Sequence, residues 1–178
     1  MKLHSPLCDL FGIEYPIVLA GMGGASTPEL AAAVSNAGGL GVLGAAACQP
    51  EQLREWIQRT RALTDKPFGV DTLLPASVRR TAQTQGDGRV DPADQLADHL
   101  KFARDFMDQE DLHTPINHGG GQTTNGGNLQ VFSKEFFDAQ MQVIIEERVP
   151  VYAAGLGNPG PWMAELRYNG TRVMAVVG

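Results

Sequence analysis

The chain has 178 residues, of which 43% are apolar and 19% charged, and it carries a formal net charge of −6 at pH 7. These values are ordinary for a globular domain and exclude a mostly disordered chain, while the acidic balance disfavours nucleic-acid binding, which needs clustered Lys and Arg. No apolar run approaches the roughly 20 residues that span a bilayer, and the isolated cysteines Cys8 and Cys48 indicate a reducing, cytoplasmic setting with no metal site.

The first apolar segment runs from Pro16 to Ala20 and ends in Gly21-Met22-Gly23-Gly24. A short, continuous apolar run of this kind is typical of a strand buried on both faces. A helix is predicted from Pro28, because a hydroxyl residue, a proline and an acid suit the first helical turn, and Gly38-Gly39 ends it. Leu40 to Gly44 is a second, glycine-rich strand, which indicates that another backbone or a ligand approaches it closely.

A second helix begins at Pro50, and its apolar residues recur at helical spacing, which predicts core packing for Leu53, Trp56, Ile57 and Leu63. Phe68 to Asp71 is a third strand that delivers an acidic side chain at its carboxyl end. Alternating strands and helices in so few residues require a parallel sheet with right-handed crossovers.

This alternation breaks between Ala76 and Asn128. We interpret residues 76–128 as an insertion within one domain that covers residues 1–178. The insertion contains a predicted helix from Gln95 to Met107 and a glycine-rich stretch from His118 to Gly127. His118-Gly119-Gly120-Gly121 is similar to the oxyanion loop of esterases, but the G-x-S-x-G motif of that fold does not occur. A surface loop is therefore favoured, with a lid over the site as the alternative.

After the insertion we predict a helix over Ser133–Glu147, a strand over Val149–Ala154, a helix capped by Asn158 and a fifth strand over Arg172–Gly178. Such a series suits a doubly wound sheet or a barrel. Small residues and one polar side chain at the strand ends favour a barrel, whose site is built at that face. A complete barrel needs about 250 residues. The predicted fold class is therefore α/β, an incomplete parallel (β/α)8 TIM-barrel type with five βα units and a long insertion after the third strand.

The stretch from Pro6 to Val18, followed by Gly21-Met22 and by Ser26 to Gly41, closely resembles the opening of the nitronate monooxygenase family of FMN-dependent TIM-barrel enzymes. Two later parts agree, Pro67 to Asp71 and Val149 to Gly157 with Val173 to Gly178. The resemblance implies a flavoprotein oxidoreductase in which FMN takes electrons from an alkyl nitronate. Molecular oxygen then completes the conversion to a carbonyl compound and nitrite. Some relatives instead reduce quinones or enoyl groups with a nicotinamide cofactor.

The resemblance also implies where the cofactor is bound. The backbone of Gly21, Met22 and Gly23 would lie against the isoalloxazine ring, because a flat ring needs a close approach that bulky side chains block. Asp71 stands where family members usually have Asn, and a carboxylate cannot donate the hydrogen bond that an amide can. The implied FMN-binding residues are Ala20, Gly21, Met22, Gly23, Asp71, Gly155 and Gly178. The family's catalytic histidine corresponds to a position beyond Gly178, so no catalytic residue is predicted in this chain.

A second hypothesis is a non-catalytic fragment, or half of a split gene that needs a partner. An unclosed parallel sheet exposes edge hydrogen-bonding groups and apolar surface, so self-association through the open edge is expected. The resemblance also implies that the family's catalytic histidine and its glycine-rich phosphate-binding loops correspond to positions beyond Gly178, so the isolated chain is expected to bind FMN poorly and to turn over nothing. His4, His99 and His113 are expected to be surface or capping histidines.

Overall fold

The computed structural model describes residues 3–74, 101–102, 105–109 and 133–175. The chain divides into two compact units, Met1–Val78 with Gly119–Gly178, and Arg79–His118. In the second unit, residues 101–102 and 105–109 are helical, and the rings of Phe102 and Phe106 stack with centroids 6.4 Å apart. The predicted lid stretch, His99, His113 and Gly178 lie outside the described residues.

Helices and parallel strands alternate along the described part of the first unit. In chain order they are α1 (Pro6–Phe11), α2 (Pro28–Asn36), β1 (Gly41–Gly44), α3 (Pro50–Leu63), β2 (Phe68–Leu73), α4 (Lys134–Glu146), β3 (Val151–Gly155), a 3₁₀ turn (Gly160–Trp162), α5 (Met163–Tyr168) and β4 (Arg172–Ala175). None of the helices in the described ranges is both long enough and apolar enough to cross a membrane.

The strands form one parallel sheet in the order β1-β2-β3-β4. A doubly wound sheet reverses its strand order at a switch point, whereas each strand of a barrel lies beside the next one in sequence. The observed order is the barrel order. The register also aligns the carboxyl ends, since Asp71 pairs with Gly44 on one side and with Ala153 on the other. The fold is therefore part of a parallel (β/α)8 barrel of the TIM-barrel type, as predicted.

The predicted first strand is much reduced in the structure. It consists of one isolated parallel bridge between Val18 and Leu40, with hydrogen bonds of 2.9 Å from Leu19 N to Leu40 O and from Leu40 N to Ile17 O. Ile17 and Val18 are 58% and 38% exposed, so the prediction that this segment is buried on both faces is wrong. An apolar run indicates which residues a strand could bury. Among the described residues, however, this segment has a neighbouring strand at one edge only, so Ile17 and Val18 stay exposed.

One face of the sheet packs against the helix layer. Val70 and Tyr152 join Leu53 and Ile57 of α3 and the apolar side of α4 in one buried cluster. The predicted stripe of α4 is confirmed, with Phe136, Phe137, Met141 and Ile144 buried and Ile145 packed at its margin. Along α3 the prediction fails only at Leu63, which is 45% exposed because it lies in the last turn, beyond the buried part of the helix.

The opposite face of the sheet packs against α1, a helix that the sequence reading did not predict. Val42, Val151 and Ala153 cluster with Cys8, Phe11 and Ile13. The helix has Pro6 in its first turn and ends at Gly12, whose φ of 70° is left-handed, as proline and glycine favour at these positions. Its six residues are too few for a clear helical period, so only these end signals could have indicated it.

The glycines of β1 allow two backbone segments to approach the strand. A β-carbon added at Gly41 would lie 2.5 Å from the Ala31 carbonyl carbon of α2, and one added at Gly44 would lie 2.5 Å from the Met22 carbonyl carbon. The prediction that another backbone approaches this strand closely is confirmed.

Candidate functional site

The loop after Ala20 is held in place by one buried serine. The Ser26 hydroxyl donates a 2.8 Å hydrogen bond to Ala20 O and accepts one of 3.1 Å from Met22 N, and Ser26 O accepts from Gly44 N at 3.1 Å. The residue is completely buried. Ser26 therefore ties the loop to the carboxyl end of β1.

The sequence did not predict this role of Ser26, because a serine just before Thr27-Pro28 is typical of the start of a helix. The N-cap of α2 is in fact Thr27, whose side chain makes no capping hydrogen bond. A hydroxyl residue directly before an N-cap residue is the signal that could have singled out Ser26.

Asp71 lies between two of the predicted glycines. A β-carbon at Gly21 would lie 2.6 Å from the Asp71 carboxyl carbon and closer still to Oδ2, and one at Gly155 would lie 3.1 Å from Oδ1. The loop, the end of β2 and the end of β3 therefore converge on this one carboxyl group. Of the predicted residues, the structure brings Gly21, Asp71 and Gly155 together.

Small residues surround Asp71 on its side of the sheet. Side chains alternate along a strand, so Asp71 faces away from the helix layer that receives Val70. Its register partners, Gly44 and Ala153, are small. We refer to Gly21, Gly44, Asp71, Ala153 and Gly155 as the Asp71 site. Gly44, Ala153 and Gly155 are buried and Gly21 and Asp71 are partly exposed, so a group that approaches this side of the sheet meets the carboxyl group and the loop.

The Asp71 carboxyl group is poorly solvated. Its Oδ1 is buried and has no hydrogen-bond partner among the described residues, and burial raises the pKa of Asp71 to about 6 from an ordinary value of 3.8. On the opposite face, burial also raises the pKa of Tyr152, whose hydroxyl lies 3.0 Å from Thr72 Oγ1. Desolvation without a compensating partner favours the neutral form of an acid, so Asp71 needs either a proton or a ligand.

The connection after β3 is fixed against the end of β2. Leu74 N donates a 3.2 Å hydrogen bond to Gly155 O, and a β-carbon at Gly157 would lie 3.3 Å from Leu74 Cα. Asn158 Oδ1 accepts a 2.9 Å hydrogen bond from Gly160 N, but the N-cap of the following 3₁₀ turn is Pro159, so the cap lies one residue after the predicted Asn158. These contacts keep Gly155 beside Asp71.

A buried glutamine fixes the connection after β1. Gln140 of α4 is completely buried, and its Nε2 donates 2.8 Å hydrogen bonds to Ala45 O and to Cys48 O. The burial of Gln140 was not predicted, because a polar residue in an amphipathic helix normally lies on the solvent-exposed face.

Three predicted residues lie at the margin of the Asp71 site or beyond it. The Ala20 carbonyl is engaged by Ser26, and Met22 is 44% exposed. Gly23 borders open space, since an added β-carbon would meet nothing within 4 Å. Gly178 lies outside the described residues. Elsewhere, His4 is exposed and its Nε2 lies 3.2 Å from Asp9 Oδ2, which confirms the prediction of a surface histidine.

The model of one protein family matches almost the whole chain. The model described as "Nitronate monooxygenase" matches residues 4–177. The chain belongs to the nitronate monooxygenase family.

Relatives and solved structures agree with this family. The chain is 29% identical over 159 residues to a "Probable nitronate monooxygenase" of Staphylococcus aureus strain JH9, covering 89% of this chain and 38% of that protein. It is similar to FabK from Thermotoga maritima with 34% identity and a TM-score of 0.61, covering 98% and 38% of the two chains. For nitroalkane oxidase from Streptomyces ansochromogenes the identity is 31% and the TM-score 0.61, with coverage of 97% and 42%. The chain therefore spans about two fifths of the length of these proteins.

This nitronate monooxygenase family member also has a surface depression of about 410 Å³ on its helix layer. It is lined by residues of α4 and of the α5 region, among them Gln142, Glu165 and Tyr168. None of the predicted cofactor-binding residues in the described ranges lines it.

Proposed function

We propose that the Asp71 site and the loop Ala20–Gly23 form part of an FMN-binding site. The enzyme would be a flavin-dependent oxidoreductase that oxidises alkyl nitronates with molecular oxygen to a carbonyl compound and nitrite. The observation that carries the proposal is the buried, unpartnered Oδ1 of Asp71 on a floor of small residues, in a chain of the nitronate monooxygenase family.

The residues present fit a flat heterocyclic ring. Such a ring needs backbone at van der Waals distance, and the partly exposed Gly21 and the exposed Gly23 supply backbone without side chains. The Asp71 carboxyl group, whose Oδ1 has no hydrogen-bond partner within the described residues, matches a ring whose edge carries both hydrogen-bond donors and acceptors. Gly23 of the same loop borders open space in which the ring would lie.

In this proposal the chain binds and orients the ring. FMN, when bound, supplies the two-electron oxidation chemistry that the side chains lack. Ser26 holds the loop through Ala20 O and Met22 N, so that the glycine backbone stays at contact distance. Asp71 forms a hydrogen bond with the ring edge and fixes its orientation. We assign no proton-transferring residue within the described ranges.

Two substrate classes fit an enzyme of this kind, and nitronates are favoured. Similarity to a nitroalkane oxidase and the family itself support nitronate oxidation. The alternative is an NAD(P)H-dependent quinone or enoyl reductase of the same superfamily. Release of nitrite from an alkyl nitronate in air would support nitronate oxidation. Consumption of NAD(P)H with a quinone or an enoyl thioester would support the reductase.

FMN retention tests the proposal directly. The purified chain is mixed with FMN and passed through gel filtration, and the flavin absorbance band is then examined for a shift. Gly23→Ala adds a methyl group where the protein itself offers open space, so it should weaken FMN retention without unfolding the chain. Tyr168→Ala, on exposed α5 surface, serves as the matched control. Equal retention by all three proteins would place FMN elsewhere, and no retention by any of them would count against an autonomous FMN site.

As a second proposal, we infer that the open sheet edge at Ile17–Leu19 pairs with a second copy of the chain. Ile17 and Val18 are 58% and 38% exposed, and in the described part of the chain the backbone of this segment is joined to the sheet through hydrogen bonds to Leu40. Lysine on an edge strand blocks such pairing. Sedimentation should show a concentration-dependent dimer that Ile17→Lys converts to monomer, and a wild-type chain that stays monomeric would contradict this proposal.

A further inference from the structure

Asp71 sits in surroundings that disfavour a negative charge. Oδ1 is buried and unpartnered, Gly21 and Gly155 pack against the carboxyl group, and the side chain makes no ion pair within the described ranges. Glycine and alanine neighbours supply no side-chain donors. A charge here would therefore be stabilised neither by a cation nor by a side-chain hydrogen bond.

The protonation state decides what Asp71 can offer a ligand. An ionised carboxylate only accepts hydrogen bonds, whereas a neutral carboxylic acid also donates one, as an amide does. The buried Oδ1 and the glycines packed against the carboxyl group favour the neutral form, which offers a ligand a donor as well as an acceptor.

We propose that Asp71 contacts the flavin as a neutral carboxylic acid that donates a hydrogen bond to the ring, so that protonation of this one side chain controls cofactor affinity. This inference rests on the proposed function. The ionised form would present a desolvated charge and no donor, so the affinity should fall as the carboxyl group ionises.

Among the described residues, the groups that face Asp71 do not titrate in the same range. The loop presents Gly21, β1 presents Gly44 and β3 presents Ala153 and Gly155. Tyr152 is the titratable neighbour whose charge interacts with Asp71, and its pKa is raised by burial, so it stays neutral. The raised pKa of Asp71, about 6, therefore sets the pH at which affinity changes.

The test is the dissociation constant of flavin between pH 5 and pH 9 for the wild-type chain and for Asp71→Asn. The probes are FMN and lumiflavin, which shares the ring but has no phosphate to titrate. Amide NMR shifts detect even weak binding. Asp65→Asn, at an exposed acid, is the control for the change in net charge.

For the wild-type chain we expect lumiflavin affinity to fall about fiftyfold from pH 6 to pH 8, because each pH unit above the pKa costs a factor of ten. Asp71→Asn should bind with a flat pH profile, and Asp65→Asn should follow the wild type. If wild type and Asp71→Asn both bind with the same profile, the inference is overturned while the flavin site stands. If neither binds either probe at any pH, the proposed function fails and takes the inference with it.

Discussion

At the scale of single residues, the glycines beside Asp71 differ in what a side chain would meet. A β-carbon at Gly21 would collide with the Asp71 carboxyl group, whereas one at Gly23 would enter open space. Gly21→Ala should therefore lower the free energy of unfolding by about 1 to 3 kcal/mol, the usual cost of overpacking, and Gly23→Ala should leave it unchanged. Urea unfolding measures both. Equal stability of the two variants would mean that the loop does not lie against Asp71.

The buried carboxyl group of Asp71 also makes stability depend on pH. Its folded pKa, about 6, is raised above the ordinary 3.8, so its contribution to stability is fully present below pH 3.8 and is lost as pH rises through 6. Asp71→Asn should thus be more stable than the wild type at pH 8 by about 1 to 2 kcal/mol, allowing for solvent screening of a half-buried group. The difference should vanish near pH 4. A variant that is less stable at pH 8 would indicate a partner for the carboxylate.

At the scale of elements, α3 and α4 are joined by an ion-pair network around Glu147. Arg54 Nη1 and Arg61 Nη1 lie 2.9 Å and 2.7 Å from its carboxylate oxygens. Burial alone would raise the pKa of Glu147, but hydrogen bonds from Gln58, Arg54 and Arg61 outweigh it and lower the pKa below 4.5. The network therefore stabilises the fold above pH 4.5, and its contribution is lost as pH falls through the lowered pKa.

Glu147→Gln should remove most of that contribution. We expect the free energy of unfolding to fall by about 1 kcal/mol at neutral pH, the upper range for surface ion pairs, because the Glu147 side chain is only 11% exposed. The loss should be smaller in acid or in high salt. Chemical unfolding at several pH values measures it, with Glu55→Gln, an exposed acid of α3, as the matched control. A loss that is the same at pH 3 and at pH 7 would show that packing and not charge is responsible.

Helices and strands could be predicted from the sequence where the capping residues and the apolar pattern favour the same structure as the tertiary packing. Helix α4 begins at Ser133, whose side chain accepts a hydrogen bond from Phe136 N, and its apolar period coincides with its buried face. Pro16 to Ala20 has an equally clear apolar pattern, yet it forms only a bridge. Its burial depends on a second neighbouring strand that the described residues do not include, and no local pattern contains that information.

At the scale of the whole molecule, the parallel alternation predicted the fold class, and the strand order β1-β2-β3-β4 decides between the two architectures that the alternation allowed. The proximity of Gly21, Asp71 and Gly155 follows from that order, because carboxyl ends of neighbouring parallel strands meet at one edge. The roles of Ser26 and Gln140 could not be predicted, since they depend on hydrogen bonds to backbone distant in sequence.

We propose that flavin binds at the carboxyl ends of β2 and β3. The most direct test is amide NMR of the isotope-labelled chain titrated with FMN. We expect the largest shifts at Gly21, Gly23, Asp71 and Gly155, with smaller shifts along the loop that Ser26 holds. No shift at any of these amides at millimolar FMN, or shifts confined to the depression lined by Gln142 and Tyr168, would contradict the claim.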